Sequence, residues 1–317
     1  MTTRRAALAG LFAFPALASA QEAWPARSLR LISPFPPGGA ADVLARNIAE
    51  ELTPALRQSV VVENRTGAGG SVGTEAVVRS AADGYTLLMG STGPLAINPA
   101  LLRLAYDPAK DLVPVAMVST VASVLVVHPS VQARNLTELL AMARAKPGEL
   151  NYGSSGTGSA QHLFMELLKQ MTGVDITHVP YRGAAPAATD VIAGNIDGLI
   201  AAIPDVGRNE RLRLLAMTTE QRLARWPDVP SVAELGLAPL VAANWFGISG
   251  PAGIPAPVAD RLNAALVESL ATPALTERLS ELGAAPNRLD RPGFTALVAA
   301  DMARWAQIVR EAGIKAD

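Results

Sequence analysis

The stretch Leu29-Arg30-Leu31-Ile32-Ser33-Pro34-Phe35-Pro36-Pro37-Gly38-Gly39-Ala40-Ala41-Asp42, followed by an amphipathic run to Leu56, decides the fold. Leu29 to Ser33 is short and apolar and reads as a strand. Leu44, Ile48, Leu52 and Leu56 recur at the i+4 spacing of one helical face, so the run predicts a helix. Pro36 and Pro37 between them carry no N–H and fix φ. Gly38 and Gly39 have no Cβ and let a ligand approach the backbone closely. The first-turn N–H groups of the helix lack intrahelical partners and sit at the positive end of its dipole. Two readings stay open. The loop is a backbone seat for an anion, or it is a rigid turn whose N–H groups are taken up by the Asp42 carboxylate.

The same unit recurs downstream. Val60 to Glu63 is a second strand, Asn64 to Gly73 a second glycine-rich loop, and a helix follows through Arg79. Tyr85 to Met89 is a third strand, ended by the loop Gly90-Ser91-Thr92-Gly93-Pro94. This alternation predicts an α/β fold with open, mostly parallel sheets. Leu112 to Val127 reads as two strands with a break near Ser119. Leu136 to Ala145 is a helix capped by Asn135 or Thr137. Leu150 to Gly153 leads into Ser154-Ser155-Gly156-Thr157-Gly158-Ser159, where a helix opens with Leu163, Leu167 and Met171 on one face. That helix start is the second candidate anion seat. The strand Ile176 to Val179, the turn Pro180 to Gly183 and a helix from Ala184 to Gly194 form a further unit. Ile196 to Ile203 and Leu212 to Thr218 are strand-like. A proline-punctuated return from Trp226 contains the strand Trp245 to Ser249, and two helices, Pro257 to Leu270 and Arg291 to Ala312, close the chain.

A chain of 317 residues is long enough for two domains with real cores. Only 4% of residues are aromatic, so those cores should be built from Ala, Val, Leu and Ile. The net charge of −1 banks no basic face for phosphates, which argues against nucleic acid as a partner. The absence of cysteine removes disulfides, thiolate catalysis and Cys-ligated zinc. Arg4 and Arg5, the apolar run Ala6 to Leu17 and the small-x-small site Ala18-Ser19-Ala20 have the order of a cleaved secretory signal over residues 1–20. The mature chain is therefore expected to begin at Gln21, with a net charge near −3, and to be exported.

Several chemistries fail on inspection. Gly153 to Ser159 has the glycine spacing of a P-loop, but Ser159 stands where its lysine should be. Thr157 replaces the closing glycine of a nucleophile elbow. An enzyme using Ser155 or Thr157 with His162 lacks a convincing acid–base–orienter set. His162 and Glu166 share a helix face, yet one such pair lacks the further ligands zinc needs. No metal and no cofactor is expected. Arg182 reads either as a partner for a ligand carboxylate or as a solvated loop arginine.

Taken together these stretches resemble the Bug family of periplasmic solute receptors, the binding-protein components of tripartite tricarboxylate transporters. The resemblance rests on Pro34 to Gly39 with Asp42; Glu63-Asn64-Arg65 with Gly67 to Gly70; Asp83 to Leu87; Asn151 to Ser159 with His162-Leu163; Tyr181-Arg182-Gly183 with Pro186 and Asp190; Trp226 to Glu234; and Ala312 to Lys315. It implies a two-domain α/β fold of the periplasmic-binding-protein, or Venus flytrap, kind, with two crossover segments near Val115 to Val124 and Trp245 to Ile248. Domain 1 would comprise 21–120 and 247–317, and domain 2 would comprise 121–246. It further implies a small organic anion, a mono- or dicarboxylate, held on backbone groups of Phe35, Pro36, Pro37, Gly38 and Gly39 with Asp42, and of Ser154, Ser155, Gly156, Thr157, Gly158 and Ser159 with His162. Ser91, Thr92, Tyr181, Arg182, Gly183, Ala201 and Asp205 would line the rest. The partners implied are the membrane permease subunits of such a transporter, with the receptor itself a monomer; a neutral amide or vitamin is the alternative ligand. The stretch Ile196 to Arg211 departs from the family pattern, because it is short and because Ala201 and Ala202 replace bulkier or acidic residues. Gly39 and Gly158 are expected to face the ligand oxygens.

Overall fold

The computed structural model describes residues 24–206, 211–241, 244–287 and 289–315. The signal segment 1–20, the expected new N-terminus at Gln21 and the stretch Gly207 to Glu210 lie outside the described residues. Two sheets organise the chain. The first has the order β11-β4-β10-β3-β1-β2. Its strands are β1 (Leu29–Ser33), β2 (Val60–Asn64), β3 (Thr86–Ser91), β4 (Leu112–Val121), β10 (Asn244–Pro251) and β11 (Ala284–Pro286). The second has the order β7-β6-β8-β5-β9, with β5 (Ser123–Val127), β6 (Asn151–Ser154), β7 (Thr177–Pro180), β8 (Gly198–Ala202) and β9 (Arg213–Met217).

Helices α1 (Ala40–Leu56), α2 (Ser71–Val78), α3 (Asn98–Leu101) and α4 (Pro108–Asp111) belong to the first half of the chain. Helices α5 (Leu136–Ala145), α6 (Ala160–Thr172), α7 (Ala184–Ala193) and α8 (Ile203–Val206) accompany the second sheet. Helices α9 (Ala256–Ser269), α10 (Pro273–Glu281) and α11 (Arg291–Ala312) close the chain. The result is two α/β lobes. None of the described helices is long and apolar enough to cross a membrane.

The predicted face of α1 is the buried one: Leu44, Ile48 and Leu52 are fully covered and Leu56 nearly so. At about 1.5–3 kcal/mol per buried leucine or isoleucine, that stripe is a major anchor of the first lobe. On α6 the buried face is Leu163, Phe164 and Leu168, whereas Met171 is exposed. Phe164 packs against Trp305 of α11 with ring centroids 5.8 Å apart, so the terminal helix touches both lobes.

The structure differs from the sequence expectations in five places. Strand β4 runs unbroken through Ser119 to Val121, and the chain steps to the second sheet at Ala122. The return crossing precedes Trp245 to Ile248, which lie inside β10. The sheets are mixed, because β10 enters between β3 and β4 and runs antiparallel to both, as β5 does between β8 and β9. Strand β3 ends at Ser91 in a π-type turn, Gly93 to Ile97, rather than an open loop. Helix α10 and strand β11 fill a stretch read as connection; a Thr272 cap, whose hydroxyl accepts the Leu275 N–H, and buried Leu275 and Leu279 hold α10.

Candidate functional site

The starts of α1 and α6 face each other across the gap between the lobes. Helix α1 follows β1 through the Pro36–Gly39 loop, and α6 follows β6 through the Ser154–Ser159 loop. Around them lies a narrow cavity of about 380 Å³ including its open mouth. The first lobe lines it with Phe35, Pro36, Gly39, Ala40, Ala41, Ser91, Gly93, Asn244 and Phe246. The second contributes Ser155, Ala160, Gln161, Ala184 and Asp205. Among the described residues of this lining, Asp205 is the one ionisable side chain and none is Lys, Arg or His.

The two helix starts are finished differently. Ser159 caps α6 in the ordinary way, its hydroxyl accepting the His162 N–H at 3.3 Å. The N–H groups of Ala160 and Gln161 find no acceptor among the described residues, and both residues line the cavity. Gly39 stands at the cap position of α1 and has no side chain to offer. Instead the Ala40 N–H donates to Asp205 Oδ1 at 2.6 Å, across 165 residues of sequence and from the opposite lobe. Asp205 Oδ2 accepts the Ala202 N–H at 3.1 Å. Burial pushes the Asp205 carboxyl up to about 6, and the two backbone hydrogen bonds only partly offset it.

Asp42 follows the second of the two readings in part: it takes up the Gly38 N–H of the turn but none of the first-turn N–H groups of α1. It is 3% exposed and does not line the cavity. Its carboxylate accepts the Gly38 N–H at 2.9 Å, Arg46 Nε at 3.0 Å and Asn64 Nδ2 at 2.8 Å. Asn64 also donates to the Phe35 carbonyl at 2.9 Å, so Asp42 and Asn64 together fix the loop that presents Phe35 to Gly39. Burial raises the Asp42 carboxyl, but the hydrogen bonds from Arg46, Gly38 and Asn64 outweigh it and hold it below the ordinary carboxylate value.

Of the residues singled out in the sequence, Phe35, Pro36, Gly39, Ser91, Ser155 and Asp205 line the cavity. The others take supporting places. Pro37 and Gly38 are exposed at the loop tip. The Thr92 hydroxyl accepts the Trp245 N–H at 3.0 Å and ties β3 to β10. Ser154 Oγ lies 2.7 Å from His178 Nε2. His162 stacks on His178 with centroids 4.3 Å apart, and its Nδ1 accepts the Gly158 N–H at 3.4 Å. Glu166 accepts from the Tyr152 hydroxyl at 2.8 Å and pairs with Lys169. His162 thus braces the loop from behind, and Glu166 ties α6 to β6 through Tyr152. The Tyr181 hydroxyl donates to Asp190 at 2.7 Å; burial and that carboxylate push its pKa up to about 12. Ala201 is buried in the core of the second lobe, and Arg182 is exposed and off the cavity.

Gly39 and Gly158 do not play equivalent parts. Gly158 has φ +82, and a Cβ there would lie 2.2 Å from Asn98 Oδ1 of the facing lobe. Gly183, at φ +155, would place a Cβ 2.3 Å from Pro36 Cδ, again across the gap. These glycines, with Gly156 and Thr157, are where the lobes touch. Gly39 has φ −80, and a Cβ there would lie 3.2 Å from Asp205 Oδ1. Sequence reasoning missed Asn244, Gln161 and Phe246, which gave no local signal. Asn244 is 5% exposed, and its Oδ1 has no hydrogen-bond partner among the described residues.

Residues 44–314 match the model of the tripartite tricarboxylate transporter family receptors. The protein BugT of Bordetella pertussis (strain Tohama I) is 39% identical over 322 residues, covering 99% of this chain and 98% of that one. The solved structure of Rpa4515 of R. palustris with adipate is 37% identical, covers 92% of this chain and 99% of its own, and superposes with a TM-score of 0.89. MatC of Rhodopseudomonas palustris, with bound malate, is 31% identical over 90% of this chain and all of its own, with a TM-score of 0.87. A family match over most of the chain, full-length relatives and the two-lobed α/β architecture agree: this chain belongs to the tripartite tricarboxylate transporter family of receptors.

Proposed function

We propose that the protein is a periplasmic receptor that captures a small carboxylate between its lobes and delivers it to the permease subunits of a tripartite tricarboxylate-type transporter. The observation that carries this reading is the cavity itself. It lies between two helix starts, with the N–H groups of Ala160 and Gln161 left without an acceptor and no basic side chain among the described residues of its wall. Oriented amides at a helix start suit a carboxylate, and they cost no reorganisation when it arrives. Adipate and malate in the two similar structures support the ligand class. We take domain 1 to run to the end of β4 at Val121 and to resume with β10 at Asn244, with domain 2 between them, which moves the expected boundaries at 120 and 247 by one and three residues. Closure about the two crossings would seal the ligand, because the lobes meet through glycines that leave no side chain in the way.

The test is a thermal-shift panel of carboxylates, amino acids and amides on the mature protein, followed by calorimetry on each hit. A true ligand at a hundredfold excess over its Kd should stabilise the fold by about 2.7 kcal/mol. NMR of the hit after prolonged incubation should show it unchanged; steady conversion would instead favour an enzyme.

A further inference from the structure

The Thr157 to Ala160 loop of the second lobe lies against Gly69, Gly93 and Asn98 of the first. A Cβ on Gly69 would sit 2.6 Å from the Thr157 carbonyl oxygen, one on Gly93 3.5 Å from Ser159 Cα, and one on Gly158 2.2 Å from Asn98 Oδ1. Backbone thus meets backbone, yet among the described residues no hydrogen bond crosses this seam. Asn98 is fully buried in it. Its Nδ2 serves its own lobe, donating to Ser71 Oγ at 2.8 Å and to the Gly69 carbonyl at 3.4 Å. Its Oδ1 is sealed from solvent and has no hydrogen-bond partner among the described residues. Gly158 of the opposite lobe covers it with a Cα–H, a weak substitute for an N–H or a water. A buried acceptor without a donor bears its full desolvation cost. With the lobes apart, that cover is gone and water reaches the oxygen.

We propose that Asn98 is a spring in the seam: its orphaned Oδ1 opposes closure and holds the ligand-free protein open, so that the lobes stay together only when a ligand joins them. This rests on the receptor reading above, since it needs lobes that hinge, but it does not depend on which ligand the cleft takes. The seam is where such a device can act. The glycines let the loop approach to van der Waals distance, and the approach strips water from a carbonyl oxygen and gives it no N–H or O–H donor. The Ala40 to Asp205 hydrogen bond pulls the other way, so the two contacts set the balance between them. One sealed acceptor is enough to change the open-to-closed ratio at least tenfold. A receptor that is rarely closed without ligand binds more weakly than its closed form would, and releases more readily.

The chain has no cysteine, so two introduced ones can carry spin labels at unique positions. Val61→Cys on β2 and Thr177→Cys on β7 place one exposed label on an edge strand of each sheet, away from the strands that carry the crossings. Pulsed dipolar spectroscopy of the doubly labelled mature protein without ligand then reads the spacing of the lobes. With Asn98 intact, the long separation should dominate. Asn98→Leu, which keeps the bulk and drops the oxygen, should shift the open-to-closed ratio at least tenfold toward the short separation. Asn98→Ala, which cannot overpack the seam, should move in the same direction. Ser71→Ala removes the partner of Nδ2 and leaves Oδ1 as it is, so it should keep the parent distribution. Circular dichroism confirms that each variant is folded. A parent already at the short separation would overturn the proposal. So would an unchanged distribution in both Asn98 variants, or the same shift in Ser71→Ala, which would make it an effect of a loosened loop. None of these outcomes touches the receptor reading, which stands or falls on binding in the thermal-shift panel.

Discussion

The two helix starts that face the cleft look alike in sequence, each a glycine-rich turn after a strand, yet they are built on opposite principles. The start of α6 is locally complete: Ser159 caps it, and its own loop is braced by His162 and His178. The start of α1 is locally incomplete and is finished by Asp205 from the other lobe. A capped start holds its shape whatever the other lobe does. An uncapped start is complete only when the lobes are together, so its chemistry depends on closure.

The largest expected effect comes from separating the two lobes. Gly158→Val sets a branched side chain at φ +82 and against Asn98. Left-handed strain of about 1–2 kcal/mol and overpacking of about 1–3 kcal/mol should together cost about a hundredfold in ligand affinity. Small-angle scattering should then show a larger radius of gyration under ligand excess than for wild type. Gly39→Ala, at φ −80 and 3.2 Å from Asp205 Oδ1, should cost far less. Equal losses in the two variants would break the comparison.

The loop before α1 should depend on Asp42 more than α6 depends on its cap. Asp42→Ala leaves the Gly38 N–H and Asn64 without their acceptor, a loss of about 1–3 kcal/mol in urea unfolding. Ser159→Ala removes one cap hydrogen bond and should cost about 1 kcal/mol by the same measurement.

Acid titration of stability sharpens the contrast, because the two aspartates have opposite signs. The Asp42 carboxyl is held low, so its contribution is present above the ordinary carboxylate value and fades as pH falls through its folded value. The Asp205 carboxyl is pushed up to about 6, so its contribution is full below pH ~4 and is lost as pH rises through about 6. Urea titrations from pH 4 to 7 should show Asp205→Asn losing less stability than wild type over that range. Arg182→Ala is the smallest case. The side chain is exposed and off the cavity, so ligand affinity by calorimetry should change by less than about twofold, as surface substitutions usually do.

Much of this molecule was legible in its sequence because much of it is periodic. The i+4 leucines of α1 mark its buried face, Asn135 marks the start of α5, and the strand–glycine loop–helix units mark the α/β class. Both helix starts at the cleft were visible for the same reason: a strand, a turn without Cβ atoms and an amphipathic run are all local features. The antiparallel placement of β10 was not visible, since sheet order is settled by which strands meet after a long return. Nor was Asn244, which lines the cavity only once β10 lies beside β3.

The sequence by itself determined most of the elements, the glycine turns, and a candidate anion seat at each of two helix starts. Tertiary structure alone decided how those seats are used. Asp42 and Asp205 are both aspartates near helix starts, and no local rule separates them. One folds back on its own loop; the other crosses 165 residues to cap α1. The physical reason is that a backbone N–H has no sequence signature for its partner, so which carboxylate reaches it is settled only when the lobes pack.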